Sequence, residues 1–420
     1  MKIRIGRILI CITLLFAIAV NLGGCIMVQA VDLMDGVTPN KVSVKDDLGY
    51  ANADVTDFAI RLFRAANDSG NTFISPMSVL CALAMTANGA EGETLIQMER
   101  VLGMTADELN EYLYSYMSGL HNGEKYKLKI ANSIWFVDDP SLTVNKSFLQ
   151  KNADYYGAEI YKTPFNNKAL WNINTWVRRE TDGMITKVLD KIPKDAIMYL
   201  INTLAFEAEW ESHYKGNQVR AGIFKKEDGT EQNARFMYCN EGEYLEDENA
   251  TGFIKYYSGR EYAFVALLPN DGVALSDYVN SLDGLSLNSM LSNPISTTVK
   301  TAIPKFKTEY ETEISEILKD MGMPLAFDEE LADFSSLGSC NDGISDYNIY
   351  ISRVLHKTFI EVAERGTKAG AVTVVEMSKD NAAPPENPKQ VYLDRPFVYM
   401  IIDTQNNIPL FIGTMTDIKA

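Results

Sequence analysis

The chain has 420 residues but contains few of the residues that build metal sites or disulfide frameworks. It has three histidines, and no two of them are close enough in sequence to form a metal-binding pair. The five cysteines are sparse and irregularly spaced, which excludes a disulfide framework. One of them, Cys81, lies in an apolar run and is expected to be a buried thiol. We therefore expect no metal ion and no cofactor.

Positive charge is also scarce, because 39 lysines and arginines face 56 aspartates and glutamates, and the net charge is −17. Nucleic acids and heparin-like polyanions are bound by clustered Lys and Arg, so this composition argues against both kinds of partner. Wholesale disorder is excluded as well, because 46% of the residues are hydrophobic and can bury a sizeable core.

Sequence motifs for enzymes are missing too. There is no GxSxG elbow, no phosphate-binding loop, no GxGxxG and no HExxH. A Ser-His-Asp triad stays open, since its members need not be neighbours in sequence. His356 precedes a strand-like run with no catalytic signature around it, so a structural role is the simpler interpretation. We expect that the chain is not an enzyme.

The first 24 residues have the pattern of a secretory signal. A positively charged start precedes Ile8–Val20, thirteen residues that are nearly all apolar and too few for an ordinary membrane span. We therefore expect residues 1–24 to be a signal peptide and the mature protein to be extracellular.

The end of this signal is Leu22-Gly23-Gly24-Cys25, which resembles a bacterial lipobox. The resemblance implies a lipid on the Cys25 sulfur, cleavage just before it and a bacterial source. Val28-Gln29-Ala30 is an alternative cleavage site that would release a soluble product. We favour a membrane-anchored lipoprotein over a freely secreted protein, with residues 25–45 as a tether and the lipid as the only membrane attachment.

Residues 46–420 have the pattern of a single domain, because they contain no Gly/Ser linker, repeat or low-complexity tract. Helical periodicity predicts helices at Asp54–Ala66, Ser78–Ala87, Ala106–Leu120 and Asn174–Leu189. β-rich runs predict strands at Glu261–Leu268, Thr297–Phe306, Lys357–Ala363, Ala371–Met377, Arg395–Asp403 and Pro409–Met415. Helices first and strands later are typical of an α+β fold rather than of alternating βαβ units.

The segment 364–377 begins with small residues and becomes β-rich. Read with period two, one face carries only small or apolar residues: Thr367, Ala369, Ala371, Thr373, Val375 and Met377. Residues 378–388 follow, with three prolines and many polar side chains, and indicate an exposed loop. A strand-competent segment thus leads into a loop that a protease could enter, although an ordinary connection between strands is the alternative.

Six segments resemble the serpin family, in the right order and over roughly residues 50–420. Each is weak alone, and together they are specific. They are Asn71–Ser78, Asn174–Ile185, Leu200–Glu211, Ile303–Phe306, Met321–Ser335 and Val391–Tyr399.

The resemblance implies a serpin fold with three β-sheets, eight or nine helices and an exposed, insertable reactive loop at about 364–390. It also implies a monomeric inhibitor whose partner is a target serine protease. The protease cleaves the loop and is trapped as a covalent acyl-enzyme, while the loop inserts into the main sheet. Alternatives are a non-inhibitory binding protein of the same fold and a cross-class inhibitor of cysteine proteases. The face of the loop segment that would insert carries no charge, which favours an inhibitor over a non-inhibitory binding protein.

The resemblance further implies roles for individual residues. The hinge of the loop would comprise Glu364, Gly366, Thr367, Lys368, Ala369, Gly370 and Ala371. Polar residues beneath the sheet, often called the shutter, would be Ser75, Ser78, Asn202 and His356, and Trp210 would lie at the top, where insertion begins. One departure is Lys368, where the family usually has Glu.

The same resemblance implies where the loop is cut. In most inhibitory relatives the scissile residue comes sixteen positions after the one that matches Glu364, which is Asp380 here, followed by Asn381. Slightly shorter or longer loops would use Met377, Lys379 or Ala382 instead.

Overall fold

The computed structural model describes residues 30–68, 70–193, 196–341, 348–367 and 388–418. Within these ranges the chain forms nine α-helices, as follows: α1 (Gly49–Ala66), α2 (Pro76–Ala87), α3 (Gly92–Leu102), α4 (Ala106–Gly119), α5 (Lys146–Tyr156), α6 (Asn167–Glu180), α7 (Leu275–Ser281), α8 (Gly284–Ser292) and α9 (Ser315–Met321).

The same ranges contain eighteen strands. They are β1 (Val31–Asp32), β2 (Thr72–Ile74), β3 (Tyr126–Val137), β4 (Leu142–Val144), β5 (Glu159–Thr163), β6 (Met198–Glu209), β7 (Val219–Lys225), β8 (Glu231–Glu246), β9 (Ala250–Tyr256), β10 (Tyr262–Pro269), β11 (Ile295–Pro304), β12 (Phe306–Glu313), β13 (Gly338–Cys340), β14 (Arg353–Ala363), β15 (Gly366–Thr367), β16 (Lys389–Tyr392), β17 (Phe397–Asp403) and β18 (Ile408–Met415).

These strands form three sheets. The main sheet has seven strands in the order β1-β5-β3-β6-β15-β14-β12, and a second sheet of nine strands contains β8, which pairs with β7, β9 and β11. A third sheet is the small pair of β4 and β13. The main core contains α2, whose twelve residues are all buried, and a smaller core lies where α6 covers the opposite face of the main sheet. We call the face under α6 the outer face and the other the inner face.

Local sequence explains where α2 begins. Pro76 occupies the first helical turn, where a missing N–H costs nothing, and the Ser75 hydroxyl accepts a hydrogen bond from the Ser78 N–H at 3.3 Å. The segment that resembles the family at Asn71–Ser78 therefore combines strand β2 with the cap of a buried helix.

One predicted helix is misplaced. The sequence predicts Asn174–Leu189, but α6 spans Asn167–Glu180. It ends there because Asp182 and Gly183 have φ of 48° and 79°, outside the helical region. The hydrophobic spacing continues past this point because the following segment, which includes Ile185, still packs against the main sheet.

Two other expectations change in the fold. The predicted strand Thr297–Phe306 is divided between β11 and β12, which belong to different sheets. The segment expected to be a tether is attached to the domain from Ala30 onwards: Val31 and Asp32 pair with β5, and the Asn40 N–H donates to Asp154 at 2.7 Å. Backbone hydrogen bonding at the sheet edge explains this attachment. The predicted strand Ala371–Met377 lies outside the described residues.

Candidate functional site

The main sheet is open along part of its centre. Strands β6 and β14 pair directly at one end, where Tyr199 lies opposite Arg353 in a parallel register. At the other end the two-residue strand β15 lies between them, antiparallel to both. Between these ends, no described strand separates Asn202–Glu207 of β6 from His356–Glu361 of β14. We call this stretch the gap.

Strand β15 contains the first two residues of the expected inserting segment. Gly366 lies opposite Ala363 and Glu209, and Thr367 lies opposite Val362 and Ala208. Gly366 has φ of 157°, and a Cβ added there would lie 1.9 Å from the Ala208 carbonyl oxygen. Only glycine fits this position without displacing the strand.

Thr367 is held from the inner side. Its side chain is 2% exposed, and its hydroxyl shares a hydrogen bond of 2.5 Å with the buried Tyr257 hydroxyl. Burial raises the pKa of Tyr257, so its hydroxyl stays neutral and able to donate. The hydroxyl of Thr367 is thus satisfied in an otherwise apolar place.

Trp210 connects this contact to the turn before β15. Its ring stacks on Tyr257 with centroids 4.4 Å apart, and its indole N–H donates to the Ala363 carbonyl at 2.9 Å. Its backbone N–H donates to the Arg365 carbonyl at 2.8 Å. Trp210 therefore lies at the top of the gap, beside the point where β15 enters the sheet.

Ion pairs hold the same turn. Lys305 donates to Glu364 at 2.8 Å, and Arg365 donates to Glu209 at 2.8 Å. Burial opposes ionisation of Glu364, yet the hydrogen bond from Lys305 holds the pKa of this carboxyl below its ordinary value. The two pairs fix the chain direction just before Gly366.

A polar group lies beneath the gap on the inner face. The Ser75 backbone N–H donates to His356 Nε2 at 3.0 Å. An imidazole nitrogen that accepts a hydrogen bond carries no proton, and burial lowers the pKa of His356 to about 4. His356 is therefore neutral at physiological pH and acts as an acceptor.

Asn202 lies at the level of His356 on the neighbouring strand, where the parallel pairing of β6 and β14 ends. Its side-chain amide donates to Asn132. The side-chain oxygens of Asn202 and Ser78 are buried and have no hydrogen-bond partner among the described residues. Buried acceptors without partners weaken the sheet at this point, because their desolvation is not compensated.

The structure thus brings seven of the sequence-predicted residues to the gap, namely Glu364, Gly366, Thr367, Trp210, Asn202, His356 and Ser75, with Ser78 next to them in α2. The other predicted residues lie outside the described ones: Lys368, Ala369, Gly370, Ala371, Met377, Lys379, Asp380, Asn381, Ala382 and Cys25.

The site also contains residues that were not predicted, among them Lys305 and Tyr257. Lys305 follows Pro304 inside a segment already matched to the family, so a closer reading of that segment could have identified it. Tyr257 carried no such signal, because an aromatic residue in a β-rich run is most simply read as core.

Comparison with known proteins identifies the family. The family description "Serpin (serine protease inhibitor)" matches residues 53–418. The chain belongs to the serpin family. Serpins are typically serine protease inhibitors rather than catalytic enzymes, and they form complexes with their target proteases. The expected serpin fold, with three sheets and eight or nine helices, is confirmed.

Relatives of this serpin include proteins of Thermococcus kodakarensis and of Homo sapiens. A serpin-like protein of Thermococcus kodakarensis is 29% identical over 87% of this chain and 85% of its own length. Human Serpin B8 is 30% identical over 88% of this chain and 98% of its own length.

Among solved structures, this serpin is similar to the thermophilic serpin tengpin. The native state of tengpin superposes with a TM-score of 0.88 at 46% identity, covering 93% of this chain and 100% of tengpin. The latent state of tengpin gives a lower TM-score of 0.78. The arrangement described above is therefore closer to the native form of that relative.

Proposed function

We propose that this serpin is an inhibitory one, which traps a serine protease as a covalent acyl-enzyme after cleavage of its reactive loop. The cleaved loop would then insert between β6 and β14 as a full strand. The observation that carries the proposal is the register of β15, whose two residues already pair with both neighbours of the gap.

Continuing the register of β15 down the gap gives a precise geometric check. Because β15 is antiparallel to both neighbours, each step forward along the loop corresponds to one step back along β6 and along β14. Residue 376 would therefore lie opposite both Tyr199 and Arg353. Tyr199 and Arg353 are already opposite each other in the parallel pairing of β6 and β14. The two strands need only separate sideways to accept a full strand, without sliding past one another.

The same register matches the inner-face side chains to their neighbours. Ala371 would lie between Leu204 and Thr358, and Thr373 would lie between Asn202 and His356. A threonine hydroxyl there could donate to the Asn202 oxygen, which lacks a partner among the described residues. Insertion would thus satisfy a buried acceptor while it buries small or apolar side chains.

Strand length limits where the loop can be cut. An inserted strand that reaches Arg353 must include residue 376. The scissile bond should therefore lie on the C-terminal side of Glu376. This supports cleavage within Met377–Ala383, with Asp380–Asn381 as the first choice and Met377, Lys379 and Ala382 as alternatives. A cut before Glu376 would leave no inserted residue between Tyr199 and Arg353.

The experiment that tests the proposal is incubation of the mature protein with a panel of serine and cysteine proteases. We expect a complex with at least one serine protease that survives boiling in detergent, with cleavage inside Met377–Ala383 by mass spectrometry. A complex with a cysteine protease would extend the proposal to that class. If every cleaving protease stays active and releases a nicked chain, the serpin is a non-inhibitory one.

We also propose that the protein works outside the cytoplasm, anchored by a lipid on Cys25. The support is the positive start, the apolar run and the lipobox-like Leu22–Cys25. In the described part of the chain, no helix is both long and apolar enough to cross a membrane.

A further inference from the structure

A row of charged side chains crosses the outer face of the main sheet near the top of the gap. Lys127 of β3 lies opposite Glu207 of β6, and Glu361 of β14 lies opposite Lys307 of β12. The gap separates Glu207 from Glu361. From β3 to β12 the row is positive, negative, gap, negative, positive.

The two glutamates that border the gap have no salt-bridge partner among the described residues, although Lys127 pairs with Asp182. Both glutamates are half-buried. Directly opposed unlike charges stabilise neighbouring strands and like charges destabilise them. A strand inserted between Glu207 and Glu361 is therefore favoured if it presents a cation at this level, and disfavoured if it presents a third carboxylate.

We propose that Lys368 is this cation, and that charge matching on the outer face sets the register of the inserted strand. The inference rests on the proposed function, because it concerns the inserted state of the loop. Thr367 lies opposite Ala208 and Val362, so one further step of the same pairing brings residue 368 opposite Glu207 and Glu361. Lys368 follows the described strand β15 directly in sequence.

The other end of the proposed strand is matched in the same way. The segment 366–376 contains two charged residues, Lys368 and Glu376, and both would fall on the outer face of the inserted strand. Glu376 would lie opposite Arg353, which the present register pairs with Tyr199 and which also binds Glu313. Each charge of the segment thus meets an opposite charge.

A slip of the inserted strand by one residue, or by two residues deeper into the gap, loses these pairings. A slip of one residue would turn Lys368 to the inner face, where an unpaired charge is strongly disfavoured. A slip of two residues deeper into the gap keeps the face but brings Lys368 to Ala205 and Phe359, which carry no charge. Glutamate at position 368 would place three carboxylates side by side, together with Glu207 and Glu361. Lysine, which replaces the usual family glutamate here, avoids this repulsion.

The test compares intact mature protein with protein nicked in the loop by an elastase, which accepts small residues. Thermal unfolding is followed at one guanidinium concentration that brings both transitions into range. We expect nicking to raise the Tm of the wild type. Lys368→Glu should lower the Tm of the nicked form by about 2–4 °C and leave the intact form within about 1 °C.

The matched control is Lys379→Glu, which makes the same charge change in the same loop but beyond the proposed strand. It should change the Tm of neither form. A double-mutant cycle with Lys368→Gln and Glu361→Gln should show coupling in the nicked form and none in the intact form.

The outcomes separate the two proposals. If nicking does not raise the Tm of the wild type, the loop does not insert, and both the proposed function and the charge matching are wrong. If nicking raises the Tm equally in the wild type, Lys368→Glu and Lys379→Glu, and the cycle shows no coupling, insertion stands and the role of Lys368 is wrong.

Discussion

Thr367 is the residue at which the main sheet starts to accept the loop. It is buried, it pairs with strands on both sides, and its hydroxyl is bound by Tyr257. A side chain at this position must therefore be small and able to hydrogen-bond, which explains why a neutral residue follows the charged turn of Glu364 and Arg365.

Thr367→Arg should convert the serpin into a substrate. An unpaired charge at this buried position costs about 3 kcal/mol or more, so insertion should become too slow to trap a protease. Gel analysis should show cleavage at the normal rate and no detergent-stable complex. Thr367→Ser, which keeps the hydroxyl for Tyr257, is the control and should still form the complex. Full inhibition by Thr367→Arg would show that this face does not insert.

His356 makes stability depend on pH. In the unfolded chain it gains a proton as the pH falls below about 6.5, whereas burial keeps it neutral in the fold down to about 4. The unfolded state therefore binds more protons in this window, and the free energy of unfolding should fall by about 3 kcal/mol from pH 6.5 to pH 4. Above pH 6.5 its contribution is fully present.

Urea unfolding at several pH values measures this effect. His356→Asn should flatten the pH dependence in that window, because the titrating group is gone. His121→Asn is the matched control, since it makes the same substitution at an exposed histidine. An unaltered slope in His356→Asn would mean that other groups cause the pH dependence.

At the scale of elements, the two-residue strand β15 depends on one glycine. Its pairing with β6 and β14 requires Gly366 to approach the Ala208 carbonyl more closely than any side chain allows. The ion pairs of Glu364 and Arg365 hold the turn that leads into it. The entry of the loop into the sheet is thus set by backbone geometry first and by side chains second.

Gly366→Ala should expel β15 from the sheet in the intact protein. The added Cβ meets backbone on the neighbouring strand, so we expect a loss of more than about 1 kcal/mol and faster hydrogen exchange at the Thr367 amide. Gly242→Ala, in β8, is the control, because no atom lies within 4 Å of its added Cβ. Equal exchange rates at Thr367 in wild type and Gly366→Ala would contradict the close packing described here.

At the scale of the whole molecule, the open gap and the unsatisfied side chains beneath it leave the main sheet incomplete. The parallel register of β6 and β14 already matches the register that an inserted strand needs. The free energy stored in this incomplete sheet would be released when the loop is cleaved and inserts, rather than by binding alone. The net charge of −17 opposes self-association of such a molecule.

Location is also a property of the whole molecule. Cys25→Ala should move the protein from the membrane fraction to the medium, or stop its processing, because the lipid would have no sulfur to attach to. Cys239→Ser, a change outside the signal, is the control and should leave the distribution unchanged. Fractionation and mass spectrometry of the N-terminus measure both, and an unchanged distribution of Cys25→Ala would favour cleavage after Ala30.

Local patterns in the sequence were enough to predict several elements and the α+β class. Helix α2 and strand β18 agree with their predicted positions because hydrophobic spacing and capping act over neighbouring residues. The predicted end of α6 was wrong. The backbone at Asp182 is not helical, whereas the apolar spacing continues into a segment that still packs on the sheet.

The sequence by itself determined the family and the alternation that leaves one face of residues 367–377 without charge. Only the tertiary structure decided that Thr367 already lies in the sheet, that Tyr257 holds it, and that Glu207 and Glu361 border the gap at one level. These facts depend on strand register, which joins residues more than a hundred positions apart and leaves no local signal in the chain.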